Sequence, residues 1–372
     1  MFVEHLSLVD FRSYLEAEFS PPPLGTTVIR GSNGSGKTNL IEAIGYLATA
    51  KSIRGAPTDA LLRIGAPSAV LRGRIVNAEK ARRVHIDAEL KSAGRDAIKM
   101  GGQPLRRVGD LSDGLLVTVF APDDLELVKG GPGFRRGYID DLAVSLLGRR
   151  ASTFAELERV LKQRNSLLRS VFASGWRPGR ALPADVESTL DVWDHKLSEV
   201  GGVIATIRHD LTEQLDPIVG RTYRLLGGTS DARSDSTATV SYRPSWSGAL
   251  GEALVACRDE DLRRGVTTLG PQRDDLDLRI SAMPSRTHAS QGEQRTAALA
   301  LRLAGHLLVT ESRGTSPVLL LDDVFSELDD ARSSALMQML PPGQTILTTA
   351  GSIPSGVTPA ATVIAREGRL ES

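Results

Sequence analysis

Cysteine is nearly missing: Cys257 stands alone in 372 residues, which excludes an internal disulfide and a cysteine-based metal set, and fits a reducing compartment. Net charge is missing too. The 45 Lys and Arg balance 45 Asp and Glu, so nothing global favours nucleic acid or membrane, and any basic patch must be local. Long apolar runs are absent; stretches such as "LLVTVFA" from Leu115 are strand-length, far short of the ~20 residues of a transmembrane helix. The opening "MFVEHLSLVDFRSY" carries Glu4 and Asp10 where a secretory signal has a basic segment and then unbroken apolar residues. No internal repeat or low-complexity tract is present. These absences lead to the expectation of a soluble, cytoplasmic protein without a membrane partner. The length exceeds the roughly 100 to 200 residues of one domain, so one large domain with an insertion, or two domains, is expected.

What is present alternates between two kinds of pattern. "FVEHLSLVDF" reads as a half-buried strand, and "TTVIR" as a second strand running into glycines, with Leu40, Ile41, Ile44 and Leu47 at helical spacing after them. "AVLRGRIV", "RRVHIDAEL" and "DAIKM" read as antiparallel strands, and "GLLVTVFAPDDL" as a buried strand ending at a proline. From Phe134 to Leu226 strand signals nearly vanish. Leu157, Val160, Leu161, Leu167, Leu168 and Val171 mark one amphipathic helix before the break at "GWRPGRALP", and a second helical stretch follows, punctuated by Pro217. The Gly- and Ser-rich "LGGTSDARSDST" leads to strands "TATVSYR" and "DLDLRI". A helix, the strand "PVLLLDD", a helix from Glu327 and the strand "QTILTTA" close the pattern. The division expected is an α/β head in two parts, 1–133 and 228–372, with a helical insertion at 134–227.

Gly31, Gly36, Lys37 and Thr38 match G-x-x-x-x-G-K-[ST], with Ser32, Asn33, Gly34 and Ser35 between them, after a strand and opening a helix. Such a loop aims backbone N–H groups at the phosphates of a nucleotide; Lys37 adds charge, and the Thr38 hydroxyl can ligate Mg²⁺. "PVLLLDD" supplies the complement, a buried strand with Asp322 and Asp323 at its carboxyl end. Asp322 would hold Mg²⁺ and Asp323 would orient or activate the water that attacks the γ-phosphate, making Lys37 and Asp323 the candidate catalytic residues. Asp322 lies 285 residues after Lys37, so something large is inserted.

"ASQGEQRT", residues 289–296, begins the helix before that second strand. Ser290 can cap it, with Glu293 completing a capping box. Taken with the loop at Gly31, S-x-G-E-Q, then "LLLDD", then "SELD" at Ser326 to Asp329 resemble the ABC-type ATPases. By that resemblance Ser290 and Gly292 contact the γ-phosphate of ATP held by another copy, two copies close head to tail over two nucleotides, and "SELD" lies along the seam. The chain departs from the transporter pattern: Asp323 replaces a glutamate, "TILTTA" has threonines where a switch histidine is usual, and the loop glutamine is missing. Slow hydrolysis is the implied consequence.

Four further stretches, "LSLVDFRSY", "VFAPDDLELVKGGPGFRR", "VLKQRNSLLR" and "TLGPQRDDL", narrow the resemblance to the RecF family of bacterial recombinational repair, from Phe2 through "ILTTA". Gln272 departs from that pattern, standing where histidine is expected, and Pro122 and Asp123 fall where related ATPases carry the loop glutamine. The resemblance implies an ABC-type ATPase head, with a mixed-sheet lobe and an antiparallel lobe, and an inserted helical arm. It implies an ATP-gated homodimer that binds DNA by structure and not by sequence, loads the RecA recombinase at gaps with RecR and RecO, and works in the nucleoid. Residues 51–150 hold 18 Lys and Arg against 12 Asp and Glu, a net of +6, and Arg54, Arg72, Arg74, Arg82, Arg83, Arg106 and Arg107 are candidate phosphate contacts. SMC-type clamps separate the same two halves by far longer coiled coils; here Pro178, Pro183 and Pro217 are expected to prevent a long continuous heptad run, and no C-x-x-C hook exists. A transporter ATPase would need a membrane partner, and a simple phosphotransferase leaves "SQGEQ" and "SELD" unexplained.

Overall fold

The computed structural model describes residues 1–77, 79, 81–177, 180–227 and 237–371, the side chains at 149, 150 and 327 excepted. Pro178 and most of the Gly- and Ser-rich stretch, including the expected boundary at 228, lie outside them.

The first strand, Phe2–Phe11, buries Val3, Leu6, Leu8 and Phe11. Strict alternation would bury residue 5, not residue 6. A bulge between Val3 and His5 shifts the phase by one residue and keeps the apolar set on the core side. This strand lies second in an antiparallel lobe whose order is Tyr14–Phe19, Phe2–Phe11, Ser68–Asn77, Arg82–Lys91, Ala97–Met100 and Gln103–Pro104.

The second sheet runs Arg369–Glu371, Pro359–Arg366, Gly25–Arg30, Gln344–Thr349, Val318–Asp322, Val117–Phe120. All its pairs are parallel except the first. Every residue of Val318–Asp322 and of Gln344–Thr349 is buried, as strands of a parallel sheet covered on both faces are. Val117–Phe120, expected to be buried, is the edge strand, and only Phe120 in it is fully covered.

Three helices among the described residues fall in the expected insertion: Pro132–Leu147, which packs into the head core, and the two arm helices Ser152–Ala173 and Ala184–Gly227. The expected break at Pro217 is corrected by the structure: the second arm helix runs 44 residues straight through it. Pro217 and Glu213, whose carbonyl loses the missing N–H, are both exposed, so water can take the orphaned group. Pro183 stands immediately before that helix, its carbonyl accepting from the Val186 and Glu187 N–H groups, so it opens the helix. The near half of the long helix packs into the head through Leu211, Leu215, Val219, Tyr223 and Leu226. The far half forms a separate core with Leu157 and Val160, joined by Leu250 and Leu254. Two short helices, Leu250–Ala256 and Arg258–Arg264, thus pack on the arm although they follow residue 228 in sequence. The sheet Ala238–Arg243, Asp275–Ile280, Met283–Pro284 sits at the arm's root.

The helix expected from Glu327 begins later: Val324–Glu327 is a 3-10 turn, and Asp330–Met339 is the helix, capped by the Asp329 side chain accepting from the Arg332 N–H at 2.8 Å.

Candidate functional site

Strand register builds the site. Asp322 pairs across the parallel sheet with Thr348, and Thr348 pairs on its other side with Ile29, one residue before the strand enters the glycine loop. Three carboxyl ends therefore meet, as ligand sites in parallel sheets do.

The loop from Gly31 to Gly36 leads into the helix Lys37–Thr49. Gly36, its N-cap, has φ 108°, a conformation that side chains resist, and a Cβ on Gly31 would lie 2.3 Å from the Ala365 carbonyl oxygen. Lys37 folds back over the loop, donating to the carbonyls of Gly31 at 2.7 Å and Ser32 at 2.9 Å. Burial pushes the Lys37 ammonium below its usual range, opposed by Asp323 and Asp322. Thr38 Oγ1 donates to Asp322 Oδ1 at 2.9 Å, so the two predicted metal-binding side chains are in contact although 284 residues apart. Thr348 Oγ1 donates to the same oxygen at 2.8 Å and accepts from the Asp323 N–H at 3.0 Å. Burial raises the Asp322 carboxyl, and the Thr348 and Thr38 hydroxyls pull it back. Asp323 itself has φ 52°, a left-handed turn that ends the strand.

Ser290 caps the helix Gln291–Arg313. The capping box is present: the Glu293 N–H donates to Ser290 Oγ at 3.3 Å, and the Ser290 N–H to Glu293 Oε2 at 2.7 Å. Ser290 and Gly292 are exposed, with open space where a Gly292 Cβ would stand, while Gln294 is buried and ties the helix start to the carbonyls of Ser285 and Arg286. A rigid anchor thus presents a serine hydroxyl and a bare glycine to solvent.

The Pro122–Leu125 turn follows the edge strand. Its buried Asp124 accepts from Arg302 of the capped helix at 2.8 Å, and the Arg302 guanidinium lies 5.3 Å from the centre of the Tyr138 ring. Burial raises the Asp124 carboxyl, with Arg302 opposing it. Ala121, Leu125, Ala298, Leu299, Val324 and Leu328 line one groove, so this turn, the capped helix and the "SELD" segment meet.

Three contributors escaped sequence reading: Thr348, the Asp124–Arg302 pair, and the turn at Ser13 and Tyr14. Tyr14 Oη donates to the Gly36 carbonyl at 2.9 Å, and Asn39 Nδ2 to Ser13 Oγ at 2.9 Å, bracing the loop from behind. Their partners are distant in sequence, so no local pattern announces them. The seven candidate arginines are all exposed, but Arg74 and Arg83 both face Glu4, at 3.8 and 3.1 Å, and Arg54 lies near enough to Asp322 to favour its ionised form.

A family model described as the RecF/RecN/SMC N terminal domain matches residues 2–349. The chain is 42% identical over 361 residues to the DNA replication and repair protein RecF of Frankia alni, covering 94% of this chain and 93% of that one. With the corresponding protein of Streptomyces avermitilis it is 40% identical over 360 residues, again covering 94% and 93%. The chain belongs to the RecF family of DNA replication and repair proteins. The recombination mediator protein RecF, solved as RecF-ATPrS in the RecFOR pathway, shares its fold with a TM-score of 0.87 at 28% identity over 100% of this chain and 97% of that one. The fold extends beyond the RecF family: an SMC head domain from Pyrococcus furiosus superposes with a TM-score of 0.56 at 17% identity, covering 100% and 95% of the two chains. The ABC-type head with an inserted helical arm is therefore its architecture.

Proposed function

We propose that this RecF-family chain is an ATP-gated DNA-binding protein of recombinational repair and replication-fork maintenance. ATP draws two copies together head to tail, Ser290 and Gly292 of one meeting the γ-phosphate held by residues Gly31 to Thr38 of the other. The binding energy of two nucleotides biases an open-to-closed equilibrium. The closed pair binds DNA by its structure and, with RecR and RecO, helps load RecA at single-strand gaps, in the nucleoid-associated cytoplasm. The observation that carries this reading is the capped helix start: Gln294 fixes it from inside, yet Ser290 and Gly292 are exposed. The solved relatives support the nucleotide, one being RecF-ATP and another RecF-ATPrS.

Mg²⁺ suits the donors on offer. Thr38 Oγ1 and Asp322 Oδ1 are hard oxygens 2.9 Å apart, and they would hold the ion with water filling the remaining positions. Bound there, it would offset phosphate charge. Asp323 would orient the attacking water and Lys37 would neutralise the β and γ phosphates. With an aspartate for the usual glutamate and Thr348 where a histidine is usual, hydrolysis is expected to be slow and stimulated by DNA. Head residues 1–133 and 228–372 form the ATPase and 134–227 the arm, to which Leu250–Ala256 and Arg258–Arg264 attach. Arg54, Arg72, Arg74, Arg82, Arg83, Arg106 and Arg107 are the phosphate contacts, so affinity falls with salt.

Mixing tests the shared site. Lys37→Ala and Ser290→Arg proteins should each hydrolyse almost nothing, and together they should regain part of the wild-type rate. The heterodimer keeps one composite site intact and concentrates both lesions in the other. Hydrolysis by the mixture no faster than by the separate proteins, with heterodimers demonstrated, would speak against the assignment.

A further inference from the structure

The free end of the arm carries a charge asymmetry that a head-centred clamp leaves unused. From Arg159 to Leu182 the chain holds six Lys and Arg and no Asp or Glu, in a protein of zero net charge. One of the six, Arg164, is fully buried and turned inward, onto Asp194 at 2.7 Å and Asp261 at 2.6 Å. The other five, Arg159, Lys162, Arg169, Arg177 and Arg180, are exposed, and among the described residues none of them is in an ion pair. In the head, Arg63, Arg74 and Arg83 each face a carboxylate, whereas Arg72, Arg82, Arg106 and Arg107, like the tip cations, are in no ion pair among the described residues.

Spacings of three and seven residues put Arg159, Lys162 and Arg169 on one face of the helix Ser152–Ala173, a basic edge about 15 Å long. Past the helix end, Trp176 Nε1 donates to the Arg180 carbonyl at 2.8 Å, and Arg177 and Arg180 are both exposed. Phe172, one turn from Arg169, is 56% exposed. Exposed Asp185 and Glu187 open the next helix beside this run, but within the run the charge has one sign and a bare phenyl ring stands among the cations.

We propose that the arm tip is a second DNA-contacting surface, separate from the head, that takes unpaired strand. The cations hold backbone phosphates, and Phe172 offers a face on which a base stacks. Cations together with an open aromatic face favour single-stranded nucleic acid over an acidic protein surface, which needs no stacking platform. This inference rests on the DNA-binding reading of the chain but not on the ATP-driven dimer, so the contact operates with or without nucleotide.

The test uses the full chain and labelled single-stranded, duplex and gapped oligonucleotides, titrated over a salt series without nucleotide and with a slowly hydrolysed ATP analogue. The Arg169→Glu/Arg177→Glu/Arg180→Glu protein should bind single-stranded and gapped DNA at least about tenfold more weakly, with the salt slope reduced by about two for three lost phosphate contacts. Phe172→Ala should weaken single-stranded binding and leave duplex binding unchanged. Circular dichroism and a urea midpoint equal to wild type's report that both variants are folded. Wild-type affinity and slope in the triple variant would overturn the proposal. So would unchanged DNA binding together with lost binding of polyglutamate, which would mark the tip as a protein-docking surface. If the analogue changes neither mass nor DNA affinity while the tip variant still loses binding, the clamp fails and the tip contact stands.

Discussion

Asp322 has two hydroxyls, Thr38 and Thr348, on one of its oxygens, and they hold a buried carboxylate whose ionised form burial opposes. Thr38 was legible because its place in the glycine loop is a local pattern. Thr348 shows in the sequence only as a threonine where a histidine is usual, since its role depends on the register between two strands. A second buried group gives a pH test. His306 lies in the capped helix with Nδ1 2.9 Å from Thr118 Oγ1, and burial pushes its pKa down from 6.5 to about 4. The folded value lies below the unfolded one, so the unfolded chain takes up the proton first. The stability contribution is present above pH ~6.5 and lost as pH falls through ~4. Between pH 7 and pH 5 this group alone should cost about 2 kcal/mol. Urea unfolding at the two pH values should show a His306→Gln protein losing less stability than wild type by that amount; equal losses would mean the imidazole is not buried neutral.

Among the elements, the capped helix Gln291–Arg313 links the site to the arm. Gly305 lets the Tyr138 ring approach: a Cβ there would stand 2.7 Å from Tyr138 Oη, which donates to the Leu301 carbonyl at 2.6 Å. Gly305→Ala should therefore destabilise by about 1–3 kcal/mol through overpacking. In a Tyr138→Phe background, where the obstructing oxygen is gone, the same change should cost much less, a coupling of about 1 kcal/mol or more in a double-mutant cycle of denaturant stabilities. Additive effects would show that the helices Pro132–Leu147 and Gln291–Arg313 do not meet there. Element existence was mostly legible, because alternation and helical spacing are strong in Phe2–Phe11 and in Ser152–Ala173. A proline breaks a helix when the freed carbonyl is buried, whereas Glu213 and Pro217 are both exposed and tertiary packing on both flanks holds the helix. Leu250–Ala256 and Arg258–Arg264 left no periodic signal, being seven residues each and held by contacts with the arm.

For the whole molecule, the two halves of the ATPase were legible as motifs, and their 285-residue separation correctly announced a large insertion. That Ser290 and Gly292 serve another copy came from resemblance, because a capping box alone explains Ser290, and the structure holds one chain in which that box is fully formed. The central claim is that these exposed residues complete a neighbour's nucleotide site. Light scattering at saturating Mg²⁺ and a slowly hydrolysed ATP analogue tests it most directly. Wild type should move to twice the 39.8 kDa of one chain. Ser290→Arg should bind the analogue as tightly as the wild-type monomer does yet keep the mass of one chain. A wild-type protein that stays monomeric with nucleotide bound, or a Ser290→Arg protein that dimerises as wild type does, would contradict the claim.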